Sequence, residues 1–138
     1  MSELIRLSLS IEKALFDKFE KLVEKHKYVN RSEFIRDMIR DLLVSEEWQG
    51  QHEVLGTITL IYEHHKRELS EKLTDLQHHH HDIVLASTHL HLTEKICAEM
   101  IMLKGRADAV NELTDKLRQQ RGVLHASLTM SSTGINLD

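Results

Sequence analysis

Residues His78 to Cys97 read HHHHDIVLASTHLHLTEKIC, a stretch that holds six of the 11 histidines and the only cysteine of the chain. From Asp82 onward polar and apolar residues alternate, which predicts a strand through about Leu92. Thr93 to Lys95 is a short polar break and Ile96 opens a second apolar run, so the two runs read as a hairpin. His89 and His91 are two apart on the first strand and project from one face. The hairpin then brings the Cys97 thiol back beside the two imidazoles. Two imidazole nitrogens and a thiolate suit a late first-row metal ion. Singly, such residues are more often surface histidines or a small buried hydrophobe; it is the combination that points to metal. The HHHH run is internal and flanked by patterned sequence, which sets aside a purification tag.

Counted as extended chain, the eleven residues from His78 to His89 span roughly 35 Å. Even with some helix in that interval, His78 is expected not to reach the donors of its own chain. A fourth ligand from the HHHH run is therefore expected from another subunit, which puts the metal at an oligomer interface. His79, His80 and His81 read as solvated or supporting residues.

A chain of 138 residues fits one domain, or two small ones sharing a larger assembly. No apolar run approaches the roughly 20 residues of a membrane helix, and the N-terminus lacks a signal-peptide pattern, so a cytoplasmic protein is expected. A single cysteine rules out an internal disulfide. The net charge of −4 divides unevenly: residues 1–45 carry 9 basic and 8 acidic side chains, residues 46–138 carry 9 and 14. Neither part is a polybasic nucleic-acid module, so DNA binding must rest on a few placed cations.

Ile5, Leu7, Leu9 and Ile11 alternate with Arg6, Ser8 and Ser10, the pattern of a short half-buried strand. Leu15, Phe19, Leu22 and Val23 follow at helical spacing, up to about Lys27. After a break at Tyr28 and Val29, Asn30 and Glu33 form a capping box for a second helix. That helix carries Phe34, Ile35, Met38, Ile39, Leu42 and Leu43 as a broad apolar stripe. One strand and two helices cannot bury so much apolar surface alone, so an intertwined dimer is expected. This segment resembles ribbon-helix-helix repressors of the Arc and MetJ kind, in which two strands pair into a ribbon that enters the DNA major groove. Arg6, Ser8 and Ser10 would face the bases, since Arg matches guanine O6 and N7 and hydroxyls read either edge. Asn30, Arg31 and Ser32 would hold a phosphate at the helix start.

Ser45 to Glu53 is polar and reads as the helix end and an interdomain linker. Beyond it the pattern predicts a strand over Val54–Tyr62, a helix over Lys66–Gln77 and hairpin strands over Ile83–Leu92 and Ile96–Leu103. Gly105 reads as a break, Ala107–Gln120 as a helix, Val123–Met130 as a final strand and Ser131–Asp138 as a frayed tail. The order βαββαβ is ferredoxin-like. The chain is thus read as an α+β protein: a ribbon-helix-helix (βαα) domain over 1–48, a linker over 49–53 and a ferredoxin-like, ACT-type domain over 54–138.

A ribbon-helix-helix segment followed by this βαββαβ segment, with its His and Cys pattern, resembles the nickel-responsive regulator (NikR) family over about residues 4 to 131. The resemblance implies a homotetramer, a dimer of dimers, with one square-planar Ni(II) per subunit. The implied ligands are His89, His91 and Cys97 of one chain and His78 of another. It implies that Tyr62, Gln77 and Glu99 support those ligands through hydrogen bonds. Glu33 and Asp37 match carboxylates that hold a second cation in the DNA-bound form, and Lys66 and Arg67 match contacts to the DNA backbone. Taken alone, Glu33 and Asp37 read as a solvated helix face. Ser8 and Ser10 stand where threonines are common in the family, so the operator sequence is not transferable.

The resulting expectation is a nickel-dependent transcription factor on double-stranded operator DNA, repressing nickel uptake, with no membrane partner and no small-molecule substrate. The same architecture could sense another ion such as copper, which binds almost any N/S site more tightly than nickel does. Other readings are a non-regulatory nickel-binding protein, or a repressor whose ACT-type domain binds an amino acid. An enzyme is not expected, since protein fills every ligand position.

Overall fold

The structure is a computed structural model of the 138-residue chain that describes residues 3–66 and 68–138. It contains two compact units, one made of the chain up to Leu43 with Leu137 and Asp138, the other of Val44–Asn136.

In the first unit, helix α1 spans Lys13–Lys25 and helix α2 begins at Arg31. The reversal between them passes through Lys27, whose φ of 58° is left-handed, and the Tyr28 amide bonds back to the Val23 carbonyl at 3.1 Å. The Asn30 side chain caps α2 by accepting the Glu33 amide at 2.9 Å. Only this half of the expected capping box is made, because the Glu33 carboxylate pairs with Arg36 instead. Phe34 is buried, with its ring against Phe19 (centroids 5.3 Å) and Tyr28 (5.0 Å). Most other apolar side chains of this unit stay exposed, Ile5 by 85% and Leu42 by 67%. Residues 3–12 form no strand. A ladder needs a second strand to complete its hydrogen bonds, and the other described elements of the unit are helices. The alternating segment is thus left uncovered by its own chain.

Helix α2 extends to Gln49, one residue into the linker expected over 49–53. The reason is Trp48, which is buried in the core of the second unit and donates its indole N–H to the Ser131 carbonyl at 2.8 Å. Gly56 makes room for it: a Cβ there would lie 3.0 Å from Trp48 Cη2. The end of the last strand is correspondingly tied down, with Ser132 Oγ donating to Glu47 Oε1 at 3.3 Å, so the start of the expected tail is not frayed.

The second unit runs β1 (Glu53–Glu63), α3 (Leu69–His79), β2 (Val84–His91), β3 (Ile96–Arg106), α4 (Ala107–Arg118) and β4 (Val123–Ser131). All pairings are antiparallel and the strand order is β2-β3-β1-β4, the ferredoxin-like arrangement. One sheet face presents Val54, Ile58, Leu60, Ile101 and Leu103 to Leu69 and Leu73 of α3 and to Val110, Leu113 and Leu117 of α4. Period two places Leu90 and Met102 on the opposite face, where they are exposed. Gly105 does not break β3; the strand continues to Arg106, and the glycine admits Ile83, whose Cγ2 would be 2.6 Å from a Cβ.

Candidate metal centre and nucleic-acid interface

The site stands at one end of the sheet, on the face that packs against the helices. His91 pairs with Cys97 across β2 and β3, and Tyr62 pairs with Cys97 across β1 and β3. His89 pairs with Glu99 one step further along. Since directly paired residues share a face, His89, His91, Cys97, Glu99 and Tyr62 all point to the same side. The hairpin is held by Thr93, whose Oγ1 accepts the amides of Lys95 (3.2 Å) and Ile96 (3.0 Å).

Cys97 Sγ lies 3.4 Å from His91 Nδ1. The His89 ring packs edge-on against His91 (centroids 4.9 Å) and stacks on Tyr62 (6.1 Å). Burial pushes the Cys97 thiol above its ordinary pKa, so the metal-free site holds a neutral thiol whose proton an incoming ion must displace. The Tyr62 phenol is pushed up to about 12 by burial, then by Glu99 and Cys97, and stays a hydrogen-bond donor at neutral pH. Gln77 and Glu99 are both buried, and Gln77 Nε2 donates to Glu99 Oε2 at 2.6 Å. Two borderline-soft nitrogens and a sulfur, held by buried hydrogen-bonding groups, are a donor set that fits a late first-row ion.

Two features differ from expectation. The span counted from His78 to His89 is not extended throughout: His78 and His79 close α3, a turn follows, and β2 begins at Val84. Gln77 is inside, in contact with β3, whereas His78 is exposed. Successive helical residues point roughly 100° apart, so His78 is turned outward where its neighbour Gln77 is turned in. The second difference is His64, which the sequence reading passed over. Its Nδ1 lies 3.2 Å from Cys97 Sγ, and His64, His91 and Cys97 place their donor atoms within 4.8 Å of one another. The signal was present: His64 stands two residues after Tyr62, at the next position of the same alternation.

In the first unit Arg6, Ser8 and Ser10 are exposed on the extended N-terminal segment. Arg31 lies over the Phe16 ring (5.0 Å to the centroid) and its Nε donates to Glu20. Ser32 is exposed in the first turn of α2. Glu33 and Asp37 are not drawn together: Glu33 pairs with Arg36, while Asp37 accepts Tyr28 OH at 2.7 Å and Arg40 at 3.3 Å. Lys66 stands 3.7 Å from Glu63, and Arg67 lies outside the described residues. Among the described residues no helix is long and apolar enough to cross a membrane.

Fold and site together define a class: a pair of helices behind an N-terminal alternating segment, joined to a ferredoxin-like domain with a thiol–imidazole cluster. Residues 2–46 match the ribbon-helix-helix protein family of the copG type, and residues 55–131 match the NikR C-terminal nickel-binding domain. Relatives named nickel-responsive regulator, from Geotalea uraniireducens (44% identical) and Geobacter sulfurreducens (45%), each align over 99% of both chains. One from Pyrococcus horikoshii is 45% identical over 98% of this chain and 99% of its own. An uncharacterized protein from Thermotoga maritima shares the fold, with a TM-score of 0.52 at 19% identity over 57% of this chain and 98% of that one. The chain belongs to the nickel-responsive regulator family.

Proposed function

We propose that this chain is a cytoplasmic, nickel-dependent DNA-binding regulator that represses nickel-uptake genes when loaded. It acts as a homotetramer, a dimer of dimers, with one Ni(II) per subunit. The observation that carries the reading is the convergence of His89, His91 and Cys97 on one sheet face, in a chain that starts with a ribbon-helix-helix segment. The exposed direction of His78 supports its use as a ligand to the site of a second copy. Tyr62, Gln77 and Glu99 orient the donors from behind, with Gln77 anchoring the last turn of α3 while the adjacent His78 reaches outward.

His89, His91 and Cys97 of one chain and His78 of another would hold the nickel ion, which would supply a link between the two chains. Arg6, Ser8 and Ser10 read bases from the paired ribbon, while Asn30, Arg31 and Ser32 position the phosphates. Lys66 and Arg67, just ahead of α3, add backbone contacts. Glu33 and Asp37 take a second cation when DNA is bound, which requires both to leave their present partners. Control is a population shift, since metal favours the arrangements in which both ribbon dimers meet their half-sites. Each dimer is weakly basic and binds feebly alone; two on one operator gain through effective concentration.

Selection from a random duplex library with Ni(II)-loaded protein, repeated with protein kept in chelator, tests the reading. The loaded protein is expected to enrich a two-fold symmetric sequence that the chelated protein does not retain. Enrichment by Cu(II)-loaded but not Ni(II)-loaded protein would transfer the role to copper. Equal retention in both arms would leave a metal-binding protein without metal control of DNA.

A further inference from the structure

We propose that the residues after β4 form an autoinhibitory strap. They brace α2 along its length and must let go of it before the N-terminal segment can settle on DNA. The effect on operator affinity rests on the DNA-binding reading; the strap itself rests on contacts to α2.

Three observations carry it. The first is where the chain passes from one unit to the other. Leu43 closes the first stretch of the first unit and Val44 opens the second unit, so this passage falls inside α2. Trp48 fixes the last turn of α2 in the core of the second unit. While Trp48 stays docked, any swing of the first unit is taken up on the N-terminal side of it, in the helix itself. The chain passes between the units again from Asn136 to Leu137.

The second observation is that the tail is fastened to α2 on both sides of that point. The Ser131 carbonyl accepts the Trp48 indole N–H, Ser132 Oγ donates to Glu47 Oε1 at 3.3 Å, and the Leu137 carbonyl accepts Arg40 Nε at 3.2 Å. Later tail residues meet earlier helix residues, so the tail runs antiparallel to α2. Arg40 and Glu47 are about 10 Å apart along the helix axis, and the chain from Ser132 to Leu137 reaches up to roughly 17 Å. Leu43 and Val44 lie between the two anchors. Gly134, whose φ of 87° is left-handed, turns the tail, with its amide bonded to Ser132 Oγ at 3.0 Å. Within the first unit Leu137 is half-buried in a groove of about 340 Å³ that it lines with Leu4, Arg36, Ile39 and Leu43. Ile135, two residues before it, is 73% exposed. One apolar side chain is seated and its neighbour is left in water, which marks a specific contact and not a general apolar collapse.

The third observation is what the strap holds in place. Arg40 also donates through Nη1 to Asp37 Oδ1 at 3.3 Å, and Asp37 Oδ2 accepts Tyr28 OH at 2.7 Å. Both oxygens of Asp37 are thus engaged while Leu137 holds Arg40. In the DNA-bound form read above, Asp37 leaves these partners to share a cation with Glu33, so the closed strap opposes that form. Bending of α2 near Leu43 and Val44 is opposed by the same contacts. Where binding needs a restraint to be released, the apparent affinity is the intrinsic one scaled down by the fraction already released. Loosening the strap therefore tightens operator binding.

Hydrogen exchange of the full-length, metal-free protein and anisotropy titration of the nickel-loaded protein on the selected operator test this. Leu137→Gly removes the seated side chain without changing charge. It is expected to speed exchange of the α2 amides from Arg40 to Glu47 by at least about fivefold. It should also tighten operator binding by about three- to tenfold. Leu137→Met keeps an apolar side chain in the groove and should match the wild type in both measurements. Trp48 is the only tryptophan of the chain, so its unchanged emission reports an intact second unit in each variant. Unaltered exchange in Leu137→Gly would overturn the strap. Faster exchange with unchanged or weaker operator binding would leave a brace without an inhibitory part, and would overturn the proposal equally. A wild-type protein that binds no operator would count against the DNA reading, while exchange measured without DNA still judges the strap.

Discussion

Gln77 and Glu99, 22 residues apart in sequence, meet in a buried hydrogen bond of 2.6 Å that ties the last turn of α3 to β3. Glu99 is the cross-strand partner of His89, and Gln77 precedes His78, so this one bond stands between two groups of candidate ligands. Gln77→Ala removes the donor and strands a buried carboxylate, a loss of about 1–3 kcal/mol. It should also lower nickel affinity by roughly 10–100-fold, the usual effect of losing a group that orients a ligand. Denaturant melts with and without nickel check both figures. Unchanged nickel affinity would mean that Gln77 only packs.

Trp48 is a structural anchor of the second unit. Trp48→Phe keeps an aromatic ring against Gly56 but loses the indole bond to Ser131, which should cost about 1–2 kcal/mol. Trp48→Ala also opens a cavity and should cost about 3–5 kcal/mol. Urea unfolding of the metal-free protein measures both, and unchanged stability in Trp48→Phe would deny the hydrogen bond any weight.

Base reading and phosphate binding should separate by mutation. Arg6→Ala is expected to weaken binding to the selected operator by about 1–3 kcal/mol and to relax base preference at its position. Arg31→Ala should weaken every duplex alike and reduce the salt dependence of binding. Its effect should be tempered by the Glu20 pair that Arg31 gives up on meeting a phosphate. Anisotropy titrations on operator and scrambled DNA distinguish the two; unaltered preference in Arg6→Ala would remove the ribbon from the major groove.

Mixing variants tests whether nickel is shared between chains. His78→Ala and Cys97→Ala homotetramers should each lose tight nickel binding. After unfolding and reassembly together, a His78→Ala chain can supply His89, His91 and Cys97 while a Cys97→Ala chain supplies His78. A fraction of sites should then regain the wild-type nickel spectrum. If subunits exchange, as tracked by a tagged chain, and no spectrum returns, each chain holds its own complete site.

Much of the second unit was legible because its elements are amphipathic and short-range. The alternation in Val54, Ile58, Leu60 and Tyr62 marks β1, and the expected hairpin over His89 to Cys97 agrees with the observed β2–β3 register. Gly105 was misread because a glycine in a strand can mark a close approach as readily as a break, and only the position of Ile83 distinguishes them. The end of α2 was expected within Ser45–Glu53 but not at one residue, because polar Glu and Gln residues fit a helix as well as a linker; the burial of Trp48 carries the helix to Gln49.

By itself, then, the sequence determined the periodicities, the βαββαβ order, the shared face of His89 and His91, and the return of Cys97 beside them. These follow from backbone geometry that repeats every two or 3.6 residues. The tertiary structure decided what depends on how separate elements meet. Packed across the sheet, α3 buries Gln77 while turning His78 outward. The bond from His64 to Lys95 joins the end of β1 to a turn more than 30 residues away and brings a third donor to Cys97. No local pattern encodes that distance, because it is set by the packing of strands that are neighbours in space and not in sequence.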